Sequence, residues 1–164
     1  MFGSPELDYL NSAKYLFLRE LSEPRDNSLR VVVQEGKARP DASGAIRNGV
    51  PEVAELRSAG FVIDSLEGCK SFELTWERYV AYLVTEELVG SCGKSDDEIY
   101  AGGLLRLYTK SHFLEHLARD TGGHTDLIQH YKLVCQNHLL DVASYSPPDI
   151  RLIDSTSTSS PRIQ

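Results

Sequence analysis

The chain has 164 residues, of which 41% are hydrophobic and 25% charged, with 17 basic against 24 acidic side chains and a net charge of −7. Those proportions are those of an ordinary domain that can bury its own core without metals or disulfides. A negative total speaks against nucleic acid as a partner, and no run of about 18 apolar residues is present to cross a membrane.

The opening Met-Phe-Gly-Ser-Pro-Glu-Leu lacks the basic start and apolar run of a signal peptide, so a cytoplasmic protein is expected. Ser4-Pro5-Glu6 has the form of a helix start, with Ser as cap and Pro at the first helical position, and this helix should end near Asn11. Tyr15 to Leu21 and Leu29 to Glu35 read as paired strands, joined through the turn formers of residues 22–28. Residues 36–50, with Gly36, Pro40, Gly44 and Gly49, are expected as a mobile loop. Pro51 to Leu56 has room for a helical turn or two, and Phe61 to Asp64 for a short strand.

From Ser71 to Val84 the residues Phe72, Leu74, Trp76, Val80, Tyr82 and Val84 share one parity, and Arg78 interrupts it. Phe72, Trp76, Tyr79, Val80 and Leu83 also fit a helical period. Aromatic and β-branched residues dominate, which favours one long strand. Ser91 to Glu98 is a polar acidic loop, and Leu104 to Thr109 a strand. The main helix is expected over 111–120, capped by Ser111 and stopped at Gly122. A strand runs from Ile128 to Ala143. Its apolar residues are odd up to Cys135 and even from Leu140, so a bulge or bend is expected near Gln136-Asn137. Ile150 to Ile153 closes the fold, and residues 154–164 form a low-complexity, disordered tail. The expected fold is α+β: a twisted, mainly antiparallel sheet of about seven strands, as a sandwich or open barrel, within one domain over 1–153.

Candidate sites follow from charge and from metal-ligating residue types. Residues 51–100 hold 11 acidic and 4 basic residues and so carry the whole excess. Glu73, Glu77, Glu86, Glu87, Asp96, Asp97 and Glu98 make up most of it, and such a strip can steer a basic protein partner. His112, Glu115 and His116 form H-x-x-E-H, the inverted zinc-protease pattern. Its apolar residues Phe113, Leu114, Leu117 and Ala118 point away from the histidine pair, and no glutamate follows to complete a zinc site. His124, His130, Cys135, His138 and Asp141 are ligand types without ligand spacing. They would serve a metal-dependent or His–Cys hydrolase only if a bend gathered them. Cys69, Cys92 and Cys135 have no close spacing and fit buried, reduced thiols. Trp76, Tyr79, Tyr82 and Tyr108 could line a small-ligand pocket.

Three stretches, Phe72 to Tyr82, Tyr108 to Leu114 and His130 to Val142, give residues 69–153 a shape that resembles a group of small uncharacterised bacterial proteins. The resemblance implies one compact domain and supplies no activity, cofactor or catalytic residue. The expectation is therefore a non-catalytic interaction module of immunity or inhibitor-like type, without cofactor or metal, with a hydrolase and a small-ligand binder as alternatives.

Overall fold

A computed structural model describes residues 4–40, 61–65, 68–90, 97–123 and 125–153. The expected elements at 51–56 and 154–164, most of the 36–50 loop, and Cys92, Asp96 and His124 lie outside the described residues.

The fold is α+β, with two antiparallel sheets and no closed barrel. Helix α1 (Pro5–Ser12) begins as expected: Ser4 caps it, Pro5 opens it, and Leu7 and Leu10 go into the core. Strands β1 (Tyr15–Arg25) and β2 (Ser28–Pro40) form a hairpin turned by Asp26-Asn27, with Asn27 at φ 58°. Strand β3 (Phe61–Asp64) pairs with the far end of β2, so residues 36–40 are strand and not loop. Gly36 is needed in that strand because a Cβ there would come within 2.7 Å of the Phe17 ring. Strand β4 (Ser71–Trp76) lies between β2 and β10 (Asp149–Ile153), which gives the first sheet the order β1-β2-β4-β10.

The second sheet has the order β5-β9-β8-β7-β6. It is built from β5 (Tyr79–Glu86), β6 (Ile99–Gly102), β7 (Leu105–Lys110), β8 (Gln129–Val134) and β9 (His138–Ser144). A single helical turn, α2 (Glu87–Gly90), follows β5, and α3 (His112–Asp120) connects β7 to β8.

The described residues form ten strands where about seven were expected. The long strand at 71–84 is two, because Glu77-Arg78 turns the chain out of the first sheet and into the second. Arg78, which breaks the apolar alternation, marks that corner. The strand at 128–143 is also two. Gln136-Asn137 is a two-residue hairpin loop closed by Cys135 N–H on the His138 carbonyl at 3.0 Å. Such a loop pairs odd residues with even ones, as Leu133 with Leu140 and Tyr131 with Val142, so the parity change comes from chain reversal and not from a bulge. Strand β6 has no counterpart among the expected elements, because its four exposed residues bury nothing that would give a pattern.

One apolar interior joins the sheets. Leu16, Val31, Val33, Phe72, Leu74 and Trp76 of the first meet Leu105, Tyr131, Leu133, Cys135, Leu140 and Val142 of the second. The Trp76 and Tyr131 rings lie 6.2 Å apart. The hairpin loop of β8 and β9 adds a polar join. Gln136 N–H donates to the Leu16 carbonyl at 2.7 Å. The Asn137 amide accepts from Leu18 N–H and donates to Leu18 C=O, both at 2.9 Å. It thus satisfies β1 beside a register shift between Leu18 and Glu20, as a neighbouring strand would. Asn137→Ala would leave both Leu18 groups partly buried and unpaired. We expect a loss of about 1–3 kcal/mol in urea unfolding, with Asn137→Asp, which keeps only the acceptor, also destabilised.

Candidate functional site

The side of the second sheet turned away from the core carries the densest polar network among the described residues. Tyr131 and Leu133 face inward, so the alternation of β8 sends His130 and Lys132 outward. Tyr108 stands opposite His130 on β7, and Asp141 opposite Lys132 on β9. Ser111 follows β7 directly and caps α3, its Oγ accepting Leu114 N–H at 3.1 Å.

These residues form a hydrogen-bonded chain. Ser111 Oγ lies 2.7 Å from His130 Nδ1, and His130 Nε2 lies 2.8 Å from Asp141 Oδ1. A carboxylate only accepts, so in the neutral ring Nε2 carries the proton and Nδ1 accepts the Ser111 hydroxyl. Lys132 Nζ reaches the same Asp141 oxygen at 3.1 Å. His130 is fully buried, stacked on Tyr108 with ring centres 4.4 Å apart and covered by Phe113 at 5.1 Å. Burial pulls the Lys132 ammonium down, but Asp141, Tyr108 and Glu98 outweigh it, and the net shift is upward.

A hydroxyl, an imidazole and a carboxylate in sequence are the parts of a nucleophilic triad. Nucleophilic attack also needs a place about 3 Å from the oxygen for the reacting carbon. Ser111 Oγ has Leu114 N–H on one side and His130 on another, and the residue is 4% exposed. A separate shallow depression of about 320 Å³ lies beside α1, lined by Pro5, Asp8, Tyr9 and Ser12. In this closed form the chain fastens α3 to β8 and β9. Asp141→Ala should cost more stability than Ser111→Ala, because it strands both Lys132 and His130 while the latter loses one cap and one neutral bond. Urea titration should give about 3–5 kcal/mol against about 1–2 kcal/mol.

A second, exposed cluster borders this network. His112 Nε2 lies 2.8 Å from Asp97, and its Nδ1 3.0 Å from Glu115. Lys110 lies 3.2 Å from Asp97, and Glu98 accepts His112 N–H at 2.9 Å. The hydrogen bond to Glu115, then that to Asp97, raises the His112 pKa. Bonds from His112 and then Lys110 lower that of Asp97. A raised histidine stabilises the fold below its ordinary pKa and loses that effect as pH rises through the shifted one. A lowered carboxylate does the reverse, so the clasp is fullest between about pH 4 and about pH 6.5. In an NMR titration His112 should titrate above the ordinary histidine value, and Asp97→Asn should bring it down.

The remaining candidates scatter. His116 lies 3.8 Å from Asp120 on the exposed side of α3. Cys135 faces the core, and burial pushes its thiol up to about 12, the opposite of what a nucleophilic thiol requires. His138 stands across the hairpin loop from it, half-buried, with Nδ1 lacking a hydrogen-bond partner among the described residues. Of the hydrolase set, only His130 with Asp141 and His112 with Glu115 come together. Among the described residues no three of His, Cys, Asp and Glu are grouped to hold a metal. Ser111 was read only as a cap and Lys132 not singled out, since nothing local in sequence links either to a residue on a different strand.

The acidic residues are likewise spread. Glu73 pairs with Arg30 at 2.6 Å on the first sheet, and Glu77 with Arg25 at 2.6 Å at the corner. Glu86 and Glu87 sit at the end of β5, whereas Asp97 and Glu98 precede β6 at the opposite edge and opposite end of the second sheet. The aromatic residues fill space or bond locally: Trp76 is buried, Tyr79 meets Tyr82 at 5.2 Å, and the Tyr82 hydroxyl donates to Glu23 at 2.9 Å. Among the described residues no helix is long and apolar enough to cross a membrane. No family model, curated protein or solved structure matches the chain.

Proposed function

We propose that the chain is a non-catalytic protein-interaction module whose contact strip is the edge of β5 that no described strand covers. Its partner in this reading is a basic protein that offers an extended segment. An inhibitor or immunity-like role is the concrete form, in the reducing cytoplasm that the buried free thiols Cys69 and Cys135 fit.

The observation that supports it is how unevenly the sheet edges are guarded. Exposed edges pair with other strands unless charge, proline, irregularity or a covering element prevents it. Strand β1 carries Arg19, Glu20, Glu23, Pro24 and Arg25, two register shifts and the Asn137 clamp. Strand β10 has Asp149 and Arg151 within five residues and lies against α1. Strand β6 is four residues long, irregular at Ile99, with the Arg106 guanidinium over the Tyr100 ring. Strand β5 runs for eight residues with one charged side chain, Glu86; Tyr79 N–H at its start donates to the Asn27 carbonyl at 2.9 Å, and from Ala81 onward the strand is regular and no described strand covers its outer edge. Leu83 and Val84 are 51% and 39% exposed at its middle. Addition of a partner strand to such an edge is a common mode of recognition.

The basic partner follows from the charges around the strip. Glu86 ends it, Glu23 stands exposed beside Tyr82, and the chain carries −7 overall. Displayed random peptides selected on this protein and counter-selected on Leu83→Lys test the proposal. Enriched peptides should alternate apolar residues with Lys or Arg and weaken with salt. Failure to enrich, or equal binding to Leu83→Lys, overturns it.

A further inference from the structure

The edge of β5 that no described strand covers is complementary to itself. Arg78 immediately precedes the strand and Glu86 ends it. Both are exposed, and neither forms an ion pair among the described residues; the Arg78 guanidinium lies over the Tyr145 ring at 5.4 Å. Between them Tyr79 to Thr85 are uncharged. A twofold axis through the middle of an antiparallel pair brings each Arg78 to the Glu86 end of the other strand, and no like charges face each other within the ladder.

We infer that in the absence of a partner two chains pair through their β5 edges in a symmetric dimer that covers the contact strip. The inference rests on the reading of β5 as that strip and adds its resting occupant, a second copy of this chain. Binding of the basic partner and self-pairing are then mutually exclusive, so free protein concentration sets how much of the strip is available.

The dimer is weak. Eight residues of strand span about 26 Å, and one strand pair buries less than the roughly 1,200 Å² of a stable interface. Two bodies of charge −7 also repel at long range. Salt screens that repulsion more than it weakens close contacts, so added salt should strengthen self-pairing while it weakens the hold on a basic peptide.

Sedimentation equilibrium from about 10 µM to about 1 mM, the range of weak specific association, reads the outcome. The mass should rise towards a dimer with concentration, and rise further with salt. Arg78→Glu or Glu86→Arg alone should weaken the dimer about tenfold; the double swap should restore it and Leu83→Lys abolish it. These side chains are exposed, so an unchanged circular dichroism spectrum is expected and certifies each variant as folded. A monomer throughout the range, or a dimer indifferent to Leu83→Lys and to the swap, overturns the inference. The two readings fail separately. Peptides that bind a strictly monomeric chain leave the partner standing and remove the dimer. A β5 dimer that enriches no peptide does the reverse.

Discussion

The central strands of both sheets keep one face in a shared interior, and most of the local geometry follows from that demand. Trp76 and Tyr131 come from different sheets and pack together at its centre. The chain leaves the first sheet directly after Trp76 and begins the second at Tyr79, so the two intervening charged residues form the corner. The β8–β9 loop repeats the logic from the other side. Leu140 and Val142 must face the same interior as Tyr131 and Leu133, and a two-residue reversal is what aligns them. Asn137 in that loop then satisfies the backbone of β1, where irregular pairing would otherwise leave polar groups unmatched.

The opposite face of the second sheet solves a different problem. Phe113 on α3 is only partly covered by the sheet, and no residue of that helix is fully buried, so apolar contact alone holds it weakly. Ser111, His130, Asp141 and Lys132 supply direction instead, since each bond in the chain fixes an angle as well as a distance. Buried polar chains of this kind cost desolvation and return specificity only when every member is satisfied. Here both ring nitrogens of His130 are occupied, and its ring stacks on Tyr108 and meets the tilted ring of Phe113. These residue types are also those of a hydrolytic site; here they tie α3 to β8 and β9, with Ser111 buried.

What could be read in the sequence was whatever depends on near neighbours. The caps at Ser4 and Ser111, the stop at Gly122 and the α+β class rest on local chemistry and on alternation, and the structure bears them out. Both misjudged strands were places where the signal was seen but given the wrong cause. Arg78 reads as an interruption and is a corner; the parity change after Cys135 reads as a bulge or bend within one strand and is a turn between two. One-dimensional alternation registers a change of phase without saying whether the chain has bulged, bent or reversed. The pairings of the polar network were not legible, because His130 with Ser111 and with Asp141 are contacts across separations of 19 and 11 residues. Nothing in spacing distinguishes those partners from His138 or Cys135.

Charge and edge geometry answer different questions about a binding surface. Net charge acts over a Debye length and favours a basic partner over an acidic one without choosing a location. Several carboxylates in the acidic middle third are already answered by Arg25, Arg30 and Lys110, which leaves them little to offer a partner. Location is set at short range, by backbone groups that want a neighbour and by side chains that do not repel one. Strand β1 is longer than β5, yet its charges, proline and clamp make it a poor template. Strand β5 has the length without the defences, and its one carboxylate at the end steers without blocking the ladder. On the proposed reading the other edges set the place of binding by what they refuse, and the acidic excess would contribute rate and sign rather than place.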